Sequence, residues 1–206
     1  MQRRIACAGQ LAKRRQTPPL GKLACHNHVV LGFSYDVVGQ TRPAQESWLE
    51  PPAGYRSFER TVCLGQGAKL WQAVAIAVLT WQIKIRSGFR VEPAEGGVKA
   101  RRGAQYELVA RIGPLTVREP VQVVVVVERP DRCGFSYGTL AGHPVSGEEA
   151  FITHRSRDGR VWLTIRSLTR PSDNGWRWAF PLLLIAQRFY RRRYLRALRP
   201  NGSCPP

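Results

Sequence analysis

The chain has 206 residues, of which 43% are hydrophobic, and 32 Lys and Arg face 14 Asp and Glu for a formal net charge of +18. That length and apolar content suit one globular domain with a substantial core and exclude a fully disordered chain. No run approaches the ~20 apolar residues that span a bilayer as a helix, and the longest candidate, 178–186, contains Pro181.

The basic excess sits at the ends. Six Lys or Arg and no acid precede Asp36, and ten Arg with one acid, Asp173, lie from Arg160 onward. Such an excess favours polyanions; a solvated Arg-rich surface is the simpler explanation. The aromatic residues do not fall among the arginines as in a nucleic-acid-binding motif, so no specific nucleic acid is expected. The five cysteines (7, 25, 63, 133 and 204) form no Cys-x-x-Cys pair. His26 and His28 beside Cys25 lack further ligands, so no metal and no cofactor are expected. The odd, scattered cysteine count suits a reducing compartment, and a cytoplasmic location is the expectation.

Residues 1–31 carry Lys13-Arg-Arg15 and Thr17-Pro-Pro without hydrophobic period and read as a disordered basic extension. They also read as an upstream extension of the true start. Order begins near Phe33, and Thr41–Gly54, with three prolines, reads as an extended loop. Tyr55–Leu64 reads as a strand broken by Gly65-Gln-Gly67. Leu70, Val74, Ala77, Val78, Trp81 and Ile85 follow helical steps, predicting one helix over 68–86 that Gly88 ends. Lys84 and Arg86 fall in its last turn. Gln105–Ile112 is a strand, Leu115–Val117 a short edge, and Val121–Glu128 a strand covered on both faces. Cys133–Thr139 is the next strand, Gly138–Gly147 a long turn, and Ala150–Arg155 with Val161–Leu168 a hairpin. A helix then runs from Trp176 or Ala179 to Leu198, with Leu183, Ala186, Tyr190, Tyr194, Ala197 and Leu198 on one side and Leu182, Ile185 and Phe189 near the arginine side. Residues 200–206 read as a disordered tail. Strands and helices segregated in this way predict an α+β fold: a curved antiparallel sheet of about six to seven strands wrapped on a long C-terminal helix.

Several stretches carry a likeness. Phe135-Ser-Tyr-Gly-Thr-Leu-Ala-Gly-His-Pro144, Gly147-Glu-Glu-Ala-Phe151, Asp158-Gly-Arg-Val-Trp162 and the helix Gln187–Leu198 resemble the DUF1990 (UPF0548) family, as do Tyr35-Asp-Val-Val-Gly-Gln-Thr-Arg42 and Pro51-Pro-Ala-Gly-Tyr-Arg56. The likeness covers about residues 32–199. That family is uncharacterised and is similar to the Bet v 1/START-like (SRPBCC) superfamily. The resemblance implies a helix-grip fold, which usually encloses an apolar ligand, and function follows from it only by analogy.

The expected activity is therefore binding of a small hydrophobic or amphipathic molecule between sheet and C-terminal helix, by a monomer. Tyr106, Tyr137, Thr139, His143, Glu148, Trp162 and Arg166 are the candidate ligand-binding residues. No catalytic residue is assigned. His143, between Gly142 and Pro144, reads either as a polar gate or general base at a cavity mouth, or as a turn histidine bonded to a nearby carbonyl. Glu148 and Glu149 are adjacent in a strand and must point to opposite faces. Arg166 reads two ways. It is a buried cation paired with Glu148 or Glu149 if Trp162 and Thr164 face inward, or an outer-surface residue of little consequence if Val161, Leu163 and Ile165 do. Two alternatives stand beside ligand binding. One is a hydrolase or cyclase-like enzyme using His143 with a Glu or Tyr. The other is a basic protein docking to nucleic acid or an anionic membrane, with a weak membrane contact through Arg188, Arg191, Arg192, Arg193 and Arg196.

Overall fold

The structure, a computed structural model, describes residues 32–200 except 49, 113 and 174. The expected basic extension (1–31) and tail (200–206) fall essentially outside these residues. The elements, in chain order, are β1 (Arg56–Gln66), α1 (Ala68–Leu79), α2 (Gln82–Arg86), β2 (Phe89–Pro93), β3 (Gln105–Ile112), β4 (Leu115–Glu128), β5 (Arg132–Thr139), β6 (Val145–Arg155), β7 (Arg160–Pro171) and α3 (Phe180–Ala197), the last preceded by a 3-10 turn at Gly175–Ala179. All seven strands form one sheet in the order β1-β7-β6-β5-β4-β3-β2, antiparallel at every pairing. The fold is α+β, as the segregation of strands and helices predicts.

The helix expected over 68–86 is two helices. Ala100 N–H bonds Leu79 O at 2.8 Å, which occupies the carbonyl that would continue α1, and Trp81 takes a left-handed conformation (φ 59°). A non-glycine residue there costs ~1 kcal/mol. The buried Trp81 ring meets Tyr106, Phe135 and Tyr137 at centroid distances of 4.9, 4.5 and 5.1 Å. Aromatic pairs contribute ~0.5–1.5 kcal/mol each, so tertiary packing outweighs the backbone cost.

Three strand boundaries also differ from the sequence reading. The sequence predicts no strand over Phe89–Pro93, where β2 lies. Leu115–Val117 and Val121–Glu128 are one strand, β4, running through Pro120. Pro120 O accepts from Leu140 N, so its donorless nitrogen faces the same side, where β5 has already ended. β6 begins at Val145, so the turn expected over 138–147 is confined to a few residues around Gly142. Gly147 makes this extension possible: its φ is +148°, and a Cβ there would lie 1.9 Å from Leu168 O.

One sheet face packs on the helices, with Trp81, Phe135, Phe151, Leu163 and Ile165 fully buried in the core. Val161, Leu163 and Ile165 thus face inward and Arg166 outward. Yet Arg166 is fully buried, because residues 41–46 of the expected loop lie across the outer face. Its Nε donates to Glu59 Oε1 at 2.8 Å, Nη1 to Arg42 O at 2.8 Å and Gln45 O at 3.0 Å, and Nη2 to Glu46 O at 2.7 Å. Arg132, also buried, donates to Pro43 O at 2.8 Å and Gln45 O at 2.7 Å. The partner of Arg166 is therefore Glu59 on the adjacent strand, not Glu148 or Glu149, and the residue clips the loop to the sheet.

Removing this guanidinium orphans several carbonyls and leaves a void. Arg166→Met is expected to lose ~3–5 kcal/mol of unfolding free energy in urea titration. Glu59→Gln is expected to lose clearly less, because Glu59 is 39% exposed and its amide oxygen still accepts from Nε.

Candidate functional site

Strand register assembles the site. Tyr137 on β5 pairs with Glu149 on β6, and Glu149 with Ser167 on β7, so three polar side chains stand abreast on the inner face. The next inward row holds Thr139, Gly147 and Thr169. α3 lies over them with Leu183, Ala186, Gln187, Tyr190, Arg191 and Tyr194, while Phe89, Ala110, Val117 and Glu119 close the β2–β4 side and His143 and Pro144 the loop end. Together with Lys84 of α2 they enclose a cavity of about 110 Å³.

Lys84 is the polar centre. Its Nζ is buried, donates to Tyr194 Oη at 2.8 Å and lies 3.3 Å from Glu149 Oε2. Tyr137 Oη donates to the same carboxylate oxygen. The ammonium also sits over the Phe89 and Tyr194 rings, 4.6 and 4.7 Å from their centroids, a cation–π arrangement that strengthens when desolvated. Burial, then the charge of Glu149, hold the Tyr137 and Tyr194 phenols well above their ordinary range, so both remain donors. Burial raises the Glu119 carboxyl, opposed by Lys84 and reinforced by Glu149. Arg191 reaches Ser167 Oγ with Nη2 at 2.8 Å, and its Nε is buried without a hydrogen-bond partner. Among the described residues no carboxylate lies within ion-pair distance of it.

His143 is held from one side by the backbone of Val145, whose O and N lie 2.8 and 3.1 Å from Nδ1. This turns Nε2 toward Glu119, with Oε2 at 3.8 Å, beyond hydrogen-bond length. Burial, with Lys84 adding to it, lowers the imidazole to about 3. The histidine is thus both turn-bonded and on the cavity wall.

The structure brings Tyr137, Thr139, His143 and Glu148 of the expected ligand-binding set to the cavity border. The Glu148 carboxylate nevertheless turns to the other sheet face, as the alternation with Glu149 requires. It accepts from Tyr35 Oη at 2.9 Å, Gly39 N at 2.6 Å, Thr41 N at 3.3 Å and the Thr41 hydroxyl. Three expected residues lie elsewhere. Tyr106 is core, its hydroxyl donating to Lys99 O at 2.8 Å. Trp162 is on the outer face, its indole N–H donating to Ser156 Oγ at 3.1 Å. Arg166 holds the outer loop. Arg191, expected on the exposed arginine face, points into the cavity. Lys84, Glu119 and Arg191 were not anticipated in the site. Lys84 reads in sequence as an ordinary cation in a last helical turn, and only the αL turn at Trp81 swings it inward.

Residues 34–197 match DUF1990, a domain of unknown function. The chain belongs to the DUF1990 family. It is 33% identical over 161 residues to a UPF0548 protein of Deinococcus radiodurans, covering 74% of this chain and 81% of that protein. It is 26% identical over 145 residues to a UPF0548 protein of Arabidopsis thaliana, covering 68% and 69%. In fold it resembles the Zhui aromatase/cyclase from a Streptomyces species, with a TM-score of 0.52 at 18% identity over 70% of this chain and 91% of that one. That likeness supports the helix-grip architecture of this DUF1990 member and no more. Among the described residues no cluster of three or more His, Cys, Asp or Glu is placed to hold a metal, and no helix is long and apolar enough to cross a membrane.

The His143 environment sets a pH dependence. With the folded pKa depressed from 6.5 to about 3, the unfolded chain binds the extra proton, so stability falls as pH drops from 6.5 toward 3. One such proton contributes a slope of ~1.4 kcal/mol per pH unit. His143→Gln should remove that slope, with the remainder carried by groups such as His154, whose pKa burial also lowers. Unfolding free energies of both proteins between pH 4 and 7 measure it, and parallel curves would show that His143 does not titrate on unfolding.

Proposed function

We propose that this DUF1990 protein binds a small, mostly apolar molecule carrying one anionic oxygen group, in the cavity beneath α3. The observation that carries the reading is a hollow with apolar walls, into which a buried Lys84 and an Arg191 with an unpartnered Nε both reach. A half-buried guanidinium whose Nε is sealed from water without a partner is costly, and a ligand anion offsets that cost. Glu149 lies at ion-pair distance from Lys84, which leaves the Arg191 guanidinium as the cation for a ligand anion to match.

The size of the hollow limits the ligand. An engineered cavity of ~150 Å³ in another protein accepts benzene, so about 110 Å³ limits the apolar part of a ligand to at most one small ring or a short branched chain and excludes a full acyl lipid. The imidazole of His143, lowered to about 3, is a weak base at neutral pH, where general-base catalysis favours a pKa near the working pH. This weighs for binding over turnover.

Benzoate, benzamide and toluene serve as probes in ligand-observed NMR and calorimetry with the full chain. Benzoate is expected to bind more tightly than the two neutral compounds. Arg191→Met should weaken benzoate at least tenfold while leaving toluene within about twofold. Ala186→Phe, which fills the hollow from α3, should abolish all three. Benzoate binding that Ala186→Phe leaves intact, or no preference for the anion, would overturn the reading.

A further inference from the structure

α3 has a second face that the cavity does not use. Leu182, Ile185 and Phe189 recur at three- and four-residue steps along its outer side and are 70, 67 and 56% exposed; Trp178, in the 3-10 turn leading into the helix, is 90% exposed. The same steps continue through Arg192 and Arg196, both exposed, with Arg188 and Arg193 on the flanks. The stretch 175–199 contains seven Arg and no Asp or Glu. The outer face is therefore apolar along its first half and cationic along its second. Large side chains left in water beside unneutralised arginines mark a contact surface rather than a solvated helix back.

We propose that this face docks onto an anionic lipid surface, with Leu182, Ile185 and Phe189 entering the headgroup–acyl boundary and Arg188, Arg192 and Arg196 lying against lipid phosphates. Charge complementarity selects this occupant. A second copy of this face could cover the apolar half but offers the arginines no acidic partner, since the stretch holds none. A nucleic acid would satisfy the arginines, but Leu182 and Ile185 offer no ring on which a base stacks. A membrane interface takes both halves at once: aliphatic and aromatic side chains in the boundary layer, Trp178 at headgroup level, and arginines at the phosphates. At ~27 Å for its 18 residues, α3 is long enough to lie along the surface. Its opposite side keeps Tyr194 and Arg191 over the cavity, so docking needs no unpacking. Arg191 faces inward and takes no part.

Each arginine brought to an anionic surface strengthens partitioning about fivefold. The test is co-sedimentation of the full chain with vesicles of phosphatidylcholine alone or with 30% phosphatidylglycerol, at low and high salt. The expected result is binding to the anionic vesicles only, weakened by salt. Arg188→Gln with Arg192→Gln should weaken it roughly 25-fold, and Leu182→Ser with Phe189→Ser at least tenfold. These exposed substitutions should leave thermal unfolding unchanged. A blue shift of tryptophan emission on binding, lost in Trp178→Phe, would place the insertion at this helix. The proposal is overturned by equal binding to neutral vesicles, by no binding, or by binding that both double variants retain, which would assign the contact to another basic segment. Capture of an RNA or DNA oligonucleotide in place of vesicles, lost in Arg188→Gln with Arg192→Gln, would overturn it too. Benzoate binding is read separately, so either reading can fail without the other.

Discussion

The ammonium of Lys84 is the contact on which the inner side of this fold depends. Taking a charge out of water costs several kcal/mol, and here the cost is offset from three elements at once. Glu149 on β6 supplies the counter-charge at 3.3 Å, Tyr194 on α3 accepts a hydrogen bond at 2.8 Å, and Phe89 at the start of β2 presents its ring. The sheet, the short helix and the long helix therefore share one electrostatic centre. Because Tyr137 donates to the same carboxylate, the β5–β6 register is tied into it as well. The cavity exists because this polar cluster holds α3 at a fixed height above the sheet instead of letting apolar residues close the gap.

The outer face is organised by a separate set of contacts, and these give two glycines of β5 and β6 a physical meaning. Gly138 is opposite Glu148 in the β5–β6 pairing, and a Cβ on it would sit 2.2 Å from the Tyr35 hydroxyl. Only glycine lets that phenol lie flat on the strand and reach Glu148. Gly147 removes the other obstacle, against Leu168 O. Tyr35, Gly138, Gly147 and Glu148 thus form one unit in which two absent side chains admit a ring and a buried carboxylate. Arg166 and Arg132 fasten the same loop further along.

Much of the fold was legible in the sequence because it rests on periodicity. β3, β5, β7 and α3 follow from alternation or helical steps, while the inward face of β7, open between two readings in the sequence, is that of Val161, Leu163 and Ile165. The errors share another cause: they lie where a distant partner overrides a local signal. The Ala100–Leu79 bond splits one helix into two, the early end of β5 lets a strand run through Pro120, and the loop over 41–46 buries an arginine that alternation alone places on the surface. The candidate site was half legible for the same reason. Tyr137, Thr139 and His143 sit in a motif that reads as a loop rim, whereas Lys84, Glu119 and Arg191 reach the hollow only through chain reversals that no window of sequence contains.

The strand order has a kinetic corollary. From β2 to β7 every strand pairs with its neighbour in sequence, so that meander can grow by short-range hairpin closure. β1, next in the chain to β2, instead lies at the far edge against β7, and Glu59 meets Arg166 across 107 positions. Bringing those ends together costs about 2–3 kcal/mol more chain entropy than closing a short hairpin does, and it is rewarded only after β7 has formed. The edge strand is thereby expected to dock late in assembly, and its docking brings Glu59 to Arg166 beneath the outer loop.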